Sequence, residues 1–274
     1  MSFFYNLCSS SSGNATFLGD REGGILFDAG IGIRNCKKLL EMAGLSYDLV
    51  RAIFLTHEHS DHVKGLEPIS ARFHIPVYGS EGTLRALLDS GRISGTQPIH
   101  VLDGRTNVAG YEVIPFCTSH DSPGSLGYRI HTPDGISAAV CTDLGYISAE
   151  VMEGISGCDF VMLEANYDEL MLKNGPYPYF LKQRIAGRKG HLSNLQCAET
   201  LAKLIPTGTK QICLAHLSEH NNLPEVAFQT VRDYLEDCGL HLNSDYRLDV
   251  LPKVSEGKVT VLTCSAYPSS VSAN

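Results

Sequence analysis

Apolar positions along this chain follow two periods. Short runs at 3–7, 15–18, 24–30, 49–56, 76–78, 111–117, 160–163 and 210–215 alternate or are continuously apolar, as strands do. Segments 33–42, 66–73, 81–89, 195–204 and 226–238 instead repeat every three to four residues, as helices with one buried face do. Runs 125–131 and 136–141 flank Thr132-Pro133-Asp134-Gly135, a turn sequence that predicts a hairpin. Two further strands are expected near Leu248 and Val259. Strands interleaved with helices along one chain predict the α/β class. Residues 1–264 are expected to form one domain, and the polar stretch 265–274 a disordered tail.

One polar cluster interrupts this pattern where chemistry is expected. His57-Glu58-His59-Ser60-Asp61-His62 follows the apolar run 49–56 and precedes a segment, 63–67, that can open a helix. It therefore leaves the C-terminal end of a strand, a common place for active sites in α/β folds. On a helix His57 and His59 would point about 200° apart. In an extended or turning backbone, residues two apart return to one side. His57 and His59 can then share one ion, leaving Asp61 and His62 to face a second. Imidazole with carboxylate suits zinc, manganese or iron rather than calcium.

Composition narrows the classes. The net charge of −8 gives no overall attraction for nucleic acid. One stretch runs against it: between Met171 and Gly190 lie Lys173, Lys182, Arg184, Arg188 and Lys189 with no acid. Tyr177, Tyr179 and Phe180 are interleaved with these cations. Such a mixture is a solvated helix face or a surface that stacks on bases while touching phosphates. Nine scattered cysteines without a C-x-x-C pair point to reduced thiols and a cytoplasmic protein. No apolar run approaches the ~18 residues of a membrane span, and the N-terminus lacks a basic export signal. The serine run 9–12 is a flexible turn or a phosphate-holding loop that presents Ser11 and Asn14 to the cleft.

The motif His-x-His-x-Asp-His resembles the signature of the metallo-β-lactamase superfamily. That resemblance implies a four-layer αββα sandwich and a hydrolase with one or two metals. The flavin-linked branch carries Glu where this chain has His59, which disfavours it. By the resemblance Asp28 supports the metal loop, His120 joins His57 and His59 on one ion, and His216 joins Asp61 and His62 on the other. Asp143 then bridges the pair of divalent ions, and a bridging hydroxide is the nucleophile.

The second half is similar to the nuclease branches of the superfamily, as in ribonuclease Z, through Leu-Glu-Ala-Asn-Tyr around Glu164 and Gly-His-Leu-Ser-Asn around His191. By that comparison Glu164 orients His191, and His191 is the general acid. Taken with Cys-Ser-Ser-Ser-Ser-Gly-Asn at 8–14 and the 184–194 segment, the chain resembles the bacterial YycJ (WalJ) family. The resemblance implies a cytoplasmic 5′-to-3′ exonuclease on duplex DNA with a link to mismatch repair. Lys182, Arg184, Arg188 and Lys189 would be its substrate contacts. The rival readings are a glyoxalase II-like thioesterase or lactonase, an RNA nuclease of the ribonuclease Z kind, and a silent scaffold. No residue pattern specifies the oligomeric state.

Overall fold

Alternating and apolar runs become two sheets. In the computed structural model, which describes residues 1–264, the first half gives β1 (Phe3–Ser10), β2 (Gly13–Gly19), β3 (Gly24–Phe27), α1 (Ile33–Met42), β4 (Val50–Phe54), α2 (Ser60–Val63), α3 (Leu66–Phe73), β5 (Val77–Gly79), α4 (Glu81–Asp89) and β6 (Ile99–Val101). The second half gives β7 (Thr106–Val108), β8 (Tyr111–Cys117), β9 (Leu126–His131), β10 (Ser137–Cys141), α5 (Ala149–Ile155), β11 (Phe160–Glu164), α6 (Glu169–Asn174), α7 (Tyr179–Ile185), α8 (Asn194–Leu204), β12 (Gln211–Ala215), α9 (Pro224–Asp237), β13 (Arg247–Val250) and β14 (Thr260–Val261). The tail expected to be disordered, 265–274, lies outside the described residues.

Each sheet has seven strands, in the orders β14-β1-β2-β3-β4-β5-β6 and β13-β12-β11-β10-β9-β8-β7. Within each, a run of antiparallel neighbours gives way to parallel ones: from β3 to β6 in the first, from β10 to β13 in the second. Parallel strands need helical crossovers, which cover the outer faces. Leu39 and Leu40 of α1, Ile69 of α3 and Leu84 of α4 pack on the first sheet. Val151 of α5, Leu201 of α8 and Val231 of α9 pack on the second. Between the sheets lies an aromatic layer of Phe4, Phe27, Phe54, Tyr128 and Phe160. The result is helix, sheet, sheet, helix: the expected αββα sandwich. Strands buried on both faces carry the most continuous apolar sequence, as β11 and β12 show.

Two expectations are corrected. The serine run is not a loose loop, because Ser9 and Ser10 pair with Asn14 and Gly13, leaving only Ser11 and Ser12 in a two-residue turn. The segment 63–67 does not open one helix: α2 covers the second half of the histidine cluster and ends at Val63, and α3, the helix expected over 66–73, starts after Gly65, whose N–H donates to Ala29 O at 2.7 Å. A Cβ at Gly65 would stand 2.0 Å from Ile31 O, so the close approach requires glycine. On the β9–β10 hairpin His131 has its Nδ1 at 2.9 Å from Ser137 Oγ. The sequence reading also overlooked α5, a short helix whose Ser148 cap accepts from Val151 N.

Candidate metal centre and active site

The parallel strands deliver their C-terminal ends to one rim, and the site is built there. Asp28 follows β3, Thr56 and His57 follow β4, Asp143 follows β10, Glu164 ends β11 and His216 follows β12. Asp28, Asp143 and His216 have positive φ of 60°, 59° and 56°, a left-handed backbone that non-glycine residues seldom adopt. Such strain, about 1–3 kcal/mol each, persists where the surroundings fix it, and three cases on one rim mark a functional centre.

Asp28 shows how the surroundings fix it. Its carboxylate accepts Thr56 N at 2.8 Å, Thr56 Oγ1 at 2.9 Å and His62 Nδ1 at 2.8 Å, all buried. The histidine loop is thereby tied to β3. Gly30 allows the loop to lie flat against this segment, since a Cβ there would stand 1.7 Å from Asp61 O.

The histidines then point inward in an ordered way. His57 Nδ1 lies 3.0 Å from Thr56 Oγ1, His120 Nδ1 3.1 Å from Gly190 O, and His216 Nδ1 2.8 Å from Glu164 Oε1. Each of these donates outward through Nδ1, which turns Nε2 toward the centre. His59 is the exception, with Nδ1 facing His120 Nε2 at 3.3 Å. Among the described residues four groups each converge within 4.8 Å: His57, His59 and His120; Asp61, His62 and His216; His57, His62 and Asp143; and Asp143, Glu164, His191 and His216. Asp143 belongs to two of these groups and lies between the first two triads.

The donor set fits divalent cations. Among the described residues His57 Nε2, His216 Nε2 and Asp143 Oδ2 are buried without a hydrogen-bond partner, an arrangement that is costly unless something charged stands among them. Electrostatics say the same. Burial pushes Asp143 up, but His216, His62 and His57 outweigh it and hold it well below the usual carboxylate range. Burial pushes His62 down, yet the Asp28 and Asp143 carboxylates raise it to about 10. His216 is likewise lifted, against burial, by Asp143, Asp61 and Glu164. A divalent ion would supply the positive charge that these carboxylates otherwise draw onto His62 and His216 as protons.

Glu164 is fully buried beside the cluster. Its Oε1 accepts both His216 Nδ1 and His191 Nδ1 at 2.8 Å, and its Oε2 accepts Leu192 N at 3.0 Å and Leu144 N at 3.3 Å. Burial raises this carboxyl, but the His191 charge and the histidine hydrogen bonds outweigh it and hold it at about 2. His191 reaches the cleft, with 20% of its side chain exposed.

The remaining expected residues fall in two places. Asn14 is buried, and its amide donates to Ser10 O at 2.9 Å and lies 3.3 Å from Asp61 Oδ2 and 3.0 Å from His62 Nε2, so it packs against the metal loop. Ser11 is exposed at the hairpin tip. The basic residues lie on α7 and the loop after it. Arg184 pairs with Asp121, Nη2 to Oδ2 at 2.6 Å, and lines a cleft of about 410 Å³ with Glu58, His59, Ser60, Asp61 and Arg92. Arg188 lies over the Tyr146 ring at 4.0 Å, Lys182 Nζ donates to Lys173 O, and Lys189 is exposed. Tyr179 and Phe180 are exposed to 74% and 72% at the start of α7. His220 is outside the cluster, exposed against Tyr177.

Sequence reasoning overlooked several supports: Thr56; Asn166, which donates to His216 O at 2.7 Å; Ser9, whose Oγ accepts His216 N at 2.9 Å; and Asp121. Thr56, next to His57, and Asp121, next to His120, carried a local signal; Ser9 and Asn166 did not.

Residues 24–217 match the model of the Beta-lactamase superfamily domain. The chain is 35% identical over 254 residues to Exodeoxyribonuclease YycJ of Bacillus anthracis, covering 92% of this chain and 96% of that one. It is 33% identical over 247 residues to Exodeoxyribonuclease WalJ of Streptococcus pneumoniae strain D39, covering 88% and 91%. Its fold is similar to that of the metallo-beta-lactamase fold protein YhfI of Bacillus subtilis, with TM-score 0.69, 13% identity and coverage of 93% and 98%. This chain belongs to the YycJ/WalJ family of the beta-lactamase superfamily, and it is a metallo-hydrolase.

Proposed function

We propose that the protein is a two-metal nuclease that degrades double-stranded DNA from the 5′ end. The observation that carries this reading is the Glu164–His191 pair beside the convergent triads. Two divalent ions, zinc, manganese or iron, held by His57, His59 and His120 and by Asp61, His62 and His216 with Asp143 between, would supply an activated water and neutralise charge at the scissile phosphate. The chain supplies what a phosphodiester needs in addition: a proton for the departing oxygen. Glu164 accepts from His191 Nδ1 and fixes the ring's orientation, leaving Nε2 to face the cleft and donate. Asp61 accepts no proton in this reading, since His216 and His62 outweigh its burial and keep its carboxyl ionised.

The surface beside the site supports a polyanionic substrate. In a chain of net charge −8, Arg184, Arg188, Lys189 and Lys182 gather on one arm with the exposed Tyr179 and Phe180. Cations that touch phosphates beside rings that stack on bases are the usual means of holding nucleic acid. The names of the two close relatives point the same way. Nine cysteines, all free, are consistent with work in the reducing cytoplasm.

The test is a time course with metal-loaded protein on duplex DNA labelled at either end. Immediate release of label from 5′-labelled ends, with 3′ label retained until late, is expected. Action on RNA alone, or on a small thioester or lactone alone, overturns the substrate assignment.

A further inference from the structure

His59 differs from the other histidines of the cluster. His57, His62, His120 and His216 each have a hydrogen-bond partner on the nitrogen turned away from the centre. His59 turns Nδ1 inward, and its outward Nε2 has no such bond among the described residues. Two carboxylate oxygens are nearest it: Asp121 Oδ1 at 3.9 Å and Glu58 Oε1 at 4.0 Å. Glu58 is engaged elsewhere, its Oε2 accepting Ser122 Oγ at 2.7 Å. Asp121 Oδ1 is buried without a hydrogen bond among the described residues, with His120 Nε2 at 3.3 Å and His59 Nε2 at 3.9 Å. Its other oxygen, Oδ2, accepts both Arg184 Nε at 2.7 Å and Arg184 Nη2 at 2.6 Å. With His120 Nε2 taken by an ion, Asp121 Oδ1 is left with His59 Nε2 as its donor, and Arg184 holds the carboxylate in place.

We propose that Asp121 is the positioning residue for His59, closing onto Nε2 when an ion engages Nδ1, and that Arg184 transmits the state of the basic arm to that ion through Asp121. A carboxylate behind a ligating imidazole fixes its ring and raises its basicity, and removing such a partner costs 10–100-fold in metal affinity. The coupling is reciprocal: whatever draws Arg184 off Asp121 loosens the first ion, and ion binding tightens Arg184 on Asp121. This rests on the metal assignment proposed above and not on the substrate, so it stands or falls without any nucleic acid present.

The experiment measures zinc affinity and stoichiometry of the whole chain by competition with a chromophoric chelator, alongside the melting of the metal-free protein. Asp121→Asn keeps the shape and removes the charge. The expected result is a 10–100-fold weaker binding of one of two zinc ions, an unchanged second ion, and metal-free melting like the wild type. Arg184→Met is expected to give a smaller loss at the same ion. Glu58→Gln is expected to leave both ions unchanged. Unaltered zinc binding in Asp121→Asn overturns the proposal, as does an equal loss in Glu58→Gln. A lowered melting temperature of metal-free Asp121→Asn, with affinity unchanged, would make Asp121 a structural anchor for Arg184 and equally overturn it.

Discussion

Replacing Glu164 by Gln removes one charge and changes no volume, so its effect isolates the hydrogen-bond pattern. Four donors converge on the carboxylate: two imidazole Nδ1 groups on Oε1 and two backbone amides on Oε2. A glutamine offers one carbonyl. If the carbonyl faces the histidines, the NH2 group meets Leu192 N–H and Leu144 N–H, and if it is flipped, it meets the rings. Either way two buried donors lose their acceptor, at about 1–3 kcal/mol each. The Leu144 contact is already long at 3.3 Å, so a total of about 2–4 kcal/mol is expected. Removing a buried charge can stabilise when its partners leave with it, but here every partner remains. At roughly 2–4 °C per kcal/mol for a chain of this size, the metal-free protein should melt about 5–15 °C lower. Zinc at the His216 site should bind about 10–100-fold more weakly, because His216 loses the group that fixes its ring. Thermal unfolding of the metal-free variant and zinc competition give both numbers. Melting within a degree of wild type together with unchanged affinity would refute the assignment of Glu164 as the support of His216 and His191.

Other residues give separable outcomes. His191→Ala should lower DNA turnover by roughly 10²–10⁴ while leaving metal content unchanged; a fall in metal stoichiometry would make it a ligand instead. Neutralising Arg188 and Lys189 together should weaken DNA binding and flatten its salt dependence, whereas an unchanged salt slope returns the arm to an ordinary solvated surface. Burial raises the Glu67 carboxyl, but the hydrogen bonds from Ser94 and Gln97 together outweigh it and hold it below the usual range. Its contribution to stability is therefore full above the unfolded value of about 4.3 and is lost as pH falls through the lower folded value. Because Glu67 is partly open to solvent, Glu67→Gln should cost under about 1 kcal/mol at pH 6. That difference should shrink between pH 4 and pH 3 in urea melts, and a difference that grows as the pH falls would contradict this reading.

The parts of this fold that were legible in sequence are those set by local periodicity. Helices α1, α3 and α4 run over the stretches that the apolar pattern marks, because each buries one continuous stripe. Helix α5 was missed because its seven residues span too few turns to show a period. The His57–His62 loop was legible because its donors are adjacent in sequence. His120, Asp143 and His216 were reached only through family resemblance, since each comes from a different strand end and nothing local says which ends share a rim. The left-handed backbone at Asp28, Asp143 and His216 is imposed by tertiary contacts and leaves no trace in the sequence. Asp121 and Arg184 are 63 residues apart, and their pairing depends on where α7 lies against the loop after β8.

The most direct test of the central claim is to load wild type and Asp143→Ala with zinc or manganese, count the bound ions, and follow cleavage of end-labelled duplex DNA. Two ions and progressive cleavage are expected in the wild type, with fewer ions and no cleavage in Asp143→Ala, because Asp143 Oδ2 lies buried between the two triads without a hydrogen bond among the described residues. Full activity from Asp143→Ala with its metal retained would contradict a two-ion phosphodiester hydrolase built on this rim.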